Sequence, residues 1–214
     1  MNGIHAEGVL VIPRRAAALV LSAPVVNPIL ETALEVQRFC RSRRWRFCFI
    51  GAIAVQRWGE PRLTQRVDLT VLSGFGPEAE FVDALLSSYR ARIPDGREFA
   101  LQRRVVLLES ASGVPIDVSL GGIPFEERFV ERSSPWDTGL AEPLATCSAE
   151  DLVVLKAFAG RDKDWLDIEG IVVRQGDRLK TSQVLRELEP LLELKEDARS
   201  LSRLRAILDR VAGD

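Results

Sequence analysis

The sequence predicts an α/β fold, in which a mixed sheet flanked by helices is followed by a C-terminal helical bundle. Strand and helix patterns alternate in the first part of the chain, whereas only helical patterns follow residue 147. The chain has 214 residues and is 46% hydrophobic, which allows a sizeable core in one domain with a helical extension. We divide it into a weakly ordered N-terminal arm at 1–26, an α/β domain at 27–146 and a helical region at 147–214.

The elements of the α/β domain follow from capping residues and from the spacing of apolar side chains. Asn27 before Pro28 is typical of a helix start, and the apolar stripe after it predicts a helix. The proline-containing stretch 121–146 predicts an irregular connection with short strands. The predicted elements are, in chain order, a helix at 27–44, a strand at 45–50, a short helix ending at 58, a strand at 67–72, a helix at 78–90, and strands at 100–110 and 114–120.

Helix signals continue to the C-terminus. Ser148 opens a capping-box pattern before an apolar segment that ends at Gly160. Gly176 closes the next predicted helix, and Pro190 is expected to interrupt the one after it. The predicted helices lie at 148–160, 164–174 and 181–194, and a last amphipathic helix runs from 198 to 211.

Composition argues against several kinds of site. The single histidine, His5, lies in the N-terminal arm, which leaves no basis for a histidine triad or a histidine metal site. Three cysteines (Cys40, Cys48 and Cys147) lack metal-like spacing, which is typical of a protein in the reducing cytoplasm. No apolar run reaches the length of a membrane span, and we interpret the N-terminal segment as a weakly ordered leader or an arm that packs on the body, rather than a secretory signal.

The charge pattern gives no general sign of nucleic-acid binding, because the formal net charge is −2. One cluster of arginines is either a solvated helix end or a local phosphate-facing patch. A charge run by itself favours the solvated helix end. The cluster consists of Arg38, Arg41, Arg43, Arg44 and Arg46.

A glycine turn and two aspartates are the residues best suited to chemistry. An apolar strand pattern ends at Gly51, where a helix begins, so backbone N–H groups at this turn can meet phosphate oxygens. Asp68 lies in the second strand pattern and Asp117 in a later one, and acids on neighbouring strands can bind Mg²⁺ through hard oxygen ligands. These residue types suit phosphoryl transfer, in which the protein mainly positions metal ions and phosphates.

The ordered set of motifs resembles the nucleotidyltransferase fold, in particular the minimal enzymes of the AbiEii toxin type, over about residues 29–173. Members of that family carry Gly-Gly or Gly-Ser at the position of Gly51-Ala52. They carry Asp-x-Asp at the position of Arg66-Val67-Asp68, and their third acid matches Asp117.

Two further segments add to this resemblance. The run from Gly59 to Thr64 matches the turn that leads to the second strand. Lys156 and the segment from Arg161 to Asp167 match a helical signature that lies near the nucleotide phosphates in the family.

The resemblance implies a nucleotidyltransferase-like sheet and a Mg²⁺-dependent transfer of a nucleotide from an NTP to an RNA or protein acceptor. If the chain is a toxin, an antitoxin is the expected partner. The resemblance assigns the metal to Asp68 and Asp117, and it makes these two residues and Lys156 catalytic. The implied nucleotide-binding residues are Gly51, Ala52, Arg62, Thr64, Arg66, Lys156, Arg161 and Asp164.

Arg66 departs from the family pattern at the active centre. With an acid at this position the three side chains would sum to −3, but one arginine and two aspartates sum to −1. An arginine cannot bind Mg²⁺, so two functional hypotheses stay open, beside a third interpretation in which the chain is an unrelated α/β domain whose motifs match by chance. Either Arg66 replaces one metal ion in an active enzyme, or the chain is an inactive pseudoenzyme that binds a nucleotide or a partner. The position of the Arg66 guanidinium relative to Asp68 and Asp117 discriminates between them.

The candidate residues also have structural interpretations. Lys156 lies in an apolar helix and can extend its amine to solvent without any function. Arg161 and Asp164 have the spacing of an ordinary i,i+3 pair on a solvated turn. Trp58 and Trp165 are more typical of a core than of a stacking platform for a base.

Overall fold

The computed structural model describes residues 27–212 and confirms the α/β class with its mixed sheet and C-terminal helices. The strands are β1 (Phe47–Phe49), β2 (Val67–Leu72), β3 (Arg90–Ala91), β4 (Val105–Glu109), β5 (Pro115–Gly121), β6 (Ser134–Trp136) and β7 (Leu144–Thr146). The helices are α1 (Pro28–Ser42), α2 (Gly51–Trp58), α3 (Glu78–Leu86), α4 (Gly96–Arg103), α5 (Pro124–Glu131), α6 (Ala149–Ala159), α7 (Asp162–Gln175), α8 (Thr181–Lys195) and α9 (Ala198–Ala212). The predicted N-terminal arm and His5 lie outside the described residues.

The seven strands of residues 27–212 form one sheet in the order β3-β4-β5-β2-β1-β7-β6. The central pair β2 and β5 is parallel, and β1 is antiparallel to β2 and parallel to β7. The register pairs Asp68 of β2 directly with Asp117 of β5. Since side chains alternate along strands, paired residues of neighbouring strands lie on the same face. The adjacency of the two predicted acids is therefore confirmed.

Apolar side chains form two clusters on opposite faces of the sheet. Phe47 and Phe49 of β1 enter the cluster that contains α1, whereas Cys48 enters the cluster formed with α2 and α6 to α9. This alternation along a single strand is the reason that both faces of the sheet are covered. The predicted core role of Trp165 is confirmed, because it is only 2% exposed within the helical cluster.

Two helices replace predicted strand or loop. Residues 100–103 belong to α4, because Arg104 adopts a left-handed conformation (φ 55°, ψ 32°) that separates the helix from β4. The predicted irregular stretch 121–146 contains α5. There Pro124 occupies the first turn, and the Glu126 carboxylate accepts hydrogen bonds from the N–H groups of Gly122 and Ile123.

The predicted break at Pro190 is wrong, because α8 continues from Thr181 to Lys195 with this proline inside it. Proline removes one hydrogen bond from a helix, to the carbonyl four residues earlier. That carbonyl belongs to Arg186, and both residues are exposed, so water can satisfy the freed oxygen. No helix within residues 27–212 combines the length and the apolar run that a membrane crossing requires.

The arginine cluster lies at the end of α1, before β1, and its members are solvent-exposed. Arg38 and Arg41 both pair with Glu142, and the guanidinium of Arg43 lies over the Phe39 ring. Gly51 follows the other end of β1, so the cluster and the glycine turn are separated by the length of that strand.

Candidate functional site

The glycine turn after β1 places the first residue of α2 next to an aspartate of the neighbouring strand β2. Gly51 begins α2 with φ +59°, a left-handed conformation that glycine adopts readily. A Cβ atom added to Gly51 would lie 2.7 Å from Oδ2 of Asp68, so the carboxylate packs directly against this backbone. The N–H groups in the first turn of α2 have no intrahelical acceptor and are available to an anion.

We expect Gly51→Ala to lower the free energy of unfolding by about 2 kcal/mol, combining left-handed strain with the clash against Asp68. Gly74→Ala is the matched control, because Gly74 also has positive φ (+69°) but has nothing within 4 Å of an added Cβ. Denaturant unfolding of both variants separates the two contributions. An equal loss in both variants would contradict a role for the close approach at Gly51.

The Arg66 guanidinium lies between the two aspartates. Its Nε is 2.8 Å from Oδ1 of Asp68, and its Nη1 is 2.9 Å from Oδ2 of Asp117. Neither contact is aligned as a hydrogen bond, and the buried Nε has no hydrogen-bond partner among the described residues. The guanidinium thus holds a fixed positive charge in the space where the resemblance expects a metal ion.

A second arginine, Arg92, reaches the same cluster and was not predicted from the sequence. Its Nη2 donates a hydrogen bond to Oδ1 of Asp117, and its backbone N–H donates to the carbonyl of Leu107 in β4. Two arginines and two aspartates sum to zero, compared with −1 for the three residues considered from the sequence alone. Burial raises the pKa of Asp68, and Arg66 opposes this only in part.

These residues do not fit a divalent cation as they lie. Mg²⁺ needs several oxygen ligands, but guanidinium groups contact Oδ1 of Asp68 and both carboxylate oxygens of Asp117. Within residues 27–212, no group of three or more His, Cys, Asp or Glu side chains is arranged to hold a metal ion. The predicted metal site therefore stays a prediction, and the pairing of its two carboxylates with arginines does not favour it.

A buried ion cluster lies beside the aspartates and contains Lys156, which is only 6% exposed. The Lys156 amine is 2.6 Å from Oδ2 of Asp167 and 3.4 Å from Oδ1 of Asp164. Arg62 binds Asp167 through two hydrogen bonds of 2.8 and 2.9 Å, and Arg161 binds Asp164 at 2.6 Å. The amine of Lys156 is thus paired inside the protein and does not extend to solvent. Three cations and two carboxylates leave this cluster with a net charge of +1.

Asp167 makes the cluster sensitive to acid. Burial works to raise its pKa, but hydrogen bonds from Arg62 and Lys156 outweigh burial and lower the pKa below its usual value. A lowered pKa stabilises the fold above the ordinary aspartate pKa of about 4, and this stabilisation is lost as the pH falls through the folded-state value.

We therefore expect Asp167→Asn to lower the free energy of unfolding by about 1–2 kcal/mol at neutral pH and by less below pH about 4. Denaturant unfolding of both proteins across this pH range measures the difference. A difference that grows on acidification would contradict the assigned direction of the pKa shift.

A cavity of about 560 Å³ joins the glycine turn, the Arg66 cluster and the buried ion cluster. Its charged lining consists of Arg62, Arg66, Arg92, Lys156, Arg161, Lys163, Asp68 and Asp164. Six cations and two carboxylates give +4, which contrasts with the net charge of −2 of the whole chain. Its apolar wall consists of Ile50, Ala52, Leu63, Pro115, Leu152 and Leu155.

The cavity brings together most of the residues predicted from the sequence. Gly51, Ala52, Arg62, Thr64, Arg66, Asp68, Lys156, Arg161 and Asp164 all line it. Asp117 does not line it and reaches it only through Arg66 and Arg92. The Thr64 hydroxyl donates to the Arg66 carbonyl at 3.0 Å, which makes Thr64 a support for the loop that carries Arg66. Arg92 is the lining cation that the sequence analysis missed, whereas Lys163 lies within the segment that the resemblance places near the phosphates but was not named as a site residue.

Comparison with known proteins gives similar solved structures only. No family model matches the chain, and no curated protein matches it. One similar structure is an antigenic nucleotidyltransferase-like protein from Paracoccidioides brasiliensis, with 17% identity, coverage of 86% of this chain and 95% of that one, and a TM-score of 0.48. Another is the antibiotic-resistance factor ANT(2'')-Ia, with 9% identity, the same two coverages and a TM-score of 0.41.

A third similar structure is a CCA-adding enzyme in complex with CTP. It is 12% identical, the match covers 85% of this chain and 51% of that one, and the TM-score is 0.37. Of these three structures, the one from Paracoccidioides brasiliensis is described as nucleotidyltransferase-like.

Proposed function

We propose that this chain is a nucleotide-binding module of the nucleotidyltransferase type, which binds the phosphates of a nucleotide in the basic cavity and does not transfer the nucleotide to an acceptor. The observation that carries the proposal is the Arg66 guanidinium, which lies within 3 Å of both Asp68 and Asp117. Metal-assisted phosphoryl transfer needs carboxylates that can bind divalent ions, and this contact leaves both aspartates paired with arginine.

The cavity lining supports a nucleotide as the ligand. Arginine guanidinium groups bind phosphate oxygens through paired N–H donors, and the cavity offers four arginines with partly exposed side chains. The turn at Gly51 adds backbone N–H donors. The apolar wall offers a surface for a base or sugar, and about 560 Å³ lies within the usual volume range of small-molecule pockets.

The active form of the proposal, Mg²⁺-dependent transfer to an RNA or protein acceptor with an antitoxin partner, stays a prediction from the resemblance. In that case Asp68 and Asp117 would bind a single ion, and Arg66 would have to move away from at least one of them. Lys156 is not poised for such chemistry, since its amine is already paired with Asp167 and Asp164.

The test combines calorimetric titration with the four ribonucleoside triphosphates and a transfer assay. We expect binding of at least one nucleotide, and no labelled product with RNA, with protein or with the chain itself when Mg²⁺ is present. Labelled product would overturn the inactive assignment, and a folded protein that binds no nucleotide would overturn the proposal as a whole.

Two arginine variants test whether the nucleotide binds in this cavity. Arg161→Gln removes a cation of the cavity whose side chain is 59% exposed, whereas Arg205→Gln removes one that is 55% exposed in α9 and does not line the cavity. We expect severalfold weaker nucleotide binding for the first variant and unchanged binding for the second. Equal affinities in the two variants would place the nucleotide elsewhere.

A further inference from the structure

We infer that the ligand of this cavity is a polyphosphate free of magnesium, and that Mg²⁺ opposes its binding. The inference rests on the proposed function, since it names the form in which the nucleotide enters the same site. Arg66 and Arg92 supply fixed positive charge beside the phosphates, so that no metal ion has to accompany them.

A magnesium complex would find few free oxygen ligands in the cavity. Of the two carboxylates that line it, Asp164 has one oxygen 2.6 Å from Arg161 and the other 3.4 Å from Lys156. Asp68 has one oxygen 2.8 Å from Arg66, and the other packs against Gly51. Mg²⁺ in nucleotide sites is normally held by one or two carboxylates together with the phosphates. Both carboxylates that line this cavity already contact other groups of the protein.

The charge of the cavity points in the same direction. The lining residues sum to +4, and the sum is +2 when the paired Asp117 and Asp167 are included. Mg²⁺ would bring two further positive charges into this field and would neutralise two charges of the ligand. Like charges in a partly enclosed site repel one another more strongly than in water. The uncomplexed polyphosphate therefore has the better charge match.

The guanidinium groups retain donors for such a ligand. Arg66 is 40% exposed and makes its closest contacts to the aspartates through Nε and Nη1, so its Nη2 group keeps N–H donors for a ligand. Arg92 is 25% exposed and lines the cavity beside it. Hydrogen bonds between arginine and phosphate are charge-assisted and roughly twice as strong as neutral ones.

The test is calorimetric titration of the full chain with ATP, once in EDTA and once in excess MgCl₂, with KCl added to the first buffer to equalise ionic strength. We expect the dissociation constant to rise about tenfold in MgCl₂, equivalent to about 1.4 kcal/mol. AMP is the control ligand, because a monophosphate chelates Mg²⁺ weakly, and its affinity should be nearly the same in both buffers. Inorganic tripolyphosphate should follow ATP if the phosphates alone carry the effect.

Variants assign the effect to Arg66. Arg66→Gln should weaken ATP binding in EDTA and reduce the difference between the two buffers, whereas Arg205→Gln should leave both unchanged. Thermal unfolding confirms that each variant is folded. Equal or tighter ATP binding in MgCl₂ would overturn this inference and leave nucleotide binding intact. A folded chain that binds ATP in neither buffer would overturn the proposed function as well.

Discussion

Replacing Arg66 with aspartate should turn the cluster at the glycine turn into a magnesium site. The change removes the guanidinium between Asp68 and Asp117 and adds a third carboxylate at the i−2 position to Asp68. The local charge, counted with Arg92, changes from 0 to −2. Without metal, we expect repulsion among the carboxylates to lower the free energy of unfolding by about 2 kcal/mol.

Magnesium should restore this loss in the Arg66→Asp variant and leave the wild type unaffected. At a metal concentration of about 100 times the dissociation constant, binding to the folded state alone adds about 2.7 kcal/mol. Thermal unfolding with and without MgCl₂, at equal ionic strength, measures the difference. Arg66→Asn is the matched control, because it opens the same space without adding a carboxylate, and it should be stabilised by Mg²⁺ clearly less than Arg66→Asp. Stabilisation of the wild type by Mg²⁺ would contradict the closed site.

The charged residues nearest the glycine turn differ in how far the sequence could predict them. Asp68 and Asp117 both lie in apolar strand patterns, and their adjacency in the register follows from two central strands that pair in parallel. Arg92 could not be found in this way. It follows a strand of two residues, Arg90–Ala91, whose partner β4 comes after an intervening helix. Pairing of this kind is decided by contacts distant in sequence, which local patterns do not contain.

The role of Lys156 shows a second limit of the sequence. Its position in an apolar helix fits both an amine that extends to solvent and an amine that binds phosphate. Its partners, Asp164 and Asp167, come eight and eleven residues later, on the far side of the turn at Gly160. The direction of a helix–helix turn decides whether such residues meet, and the left-handed conformation of Gly160 (φ +67°) sets it here.

Substitutions at two lysines of the same cavity should have different effects, one on the stability of the fold and the other on nucleotide binding. Lys156 is buried between two carboxylates that are 1% and 5% exposed, whereas Lys163 is exposed at the cavity edge. Lys156→Met keeps the length of the side chain and removes its charge, which leaves the buried carboxylates of Asp164 and Asp167 with only Arg161 and Arg62. Removing one partner of a buried ion pair destabilises by about 3 kcal/mol or more.

We therefore expect Lys156→Met to lower the free energy of unfolding by about 3 kcal/mol, and Lys163→Met to change it by less than about 0.5 kcal/mol. We expect Lys163→Met to bind the nucleotide severalfold more weakly than the wild type. This exposed cation lines the cavity and has no carboxylate partner among residues 27–212. Denaturant unfolding and calorimetric titration measure the two quantities. A Lys156→Met protein as stable as the wild type would contradict this prediction, and it would mean that Arg161 and Arg62 alone compensate the two buried carboxylates.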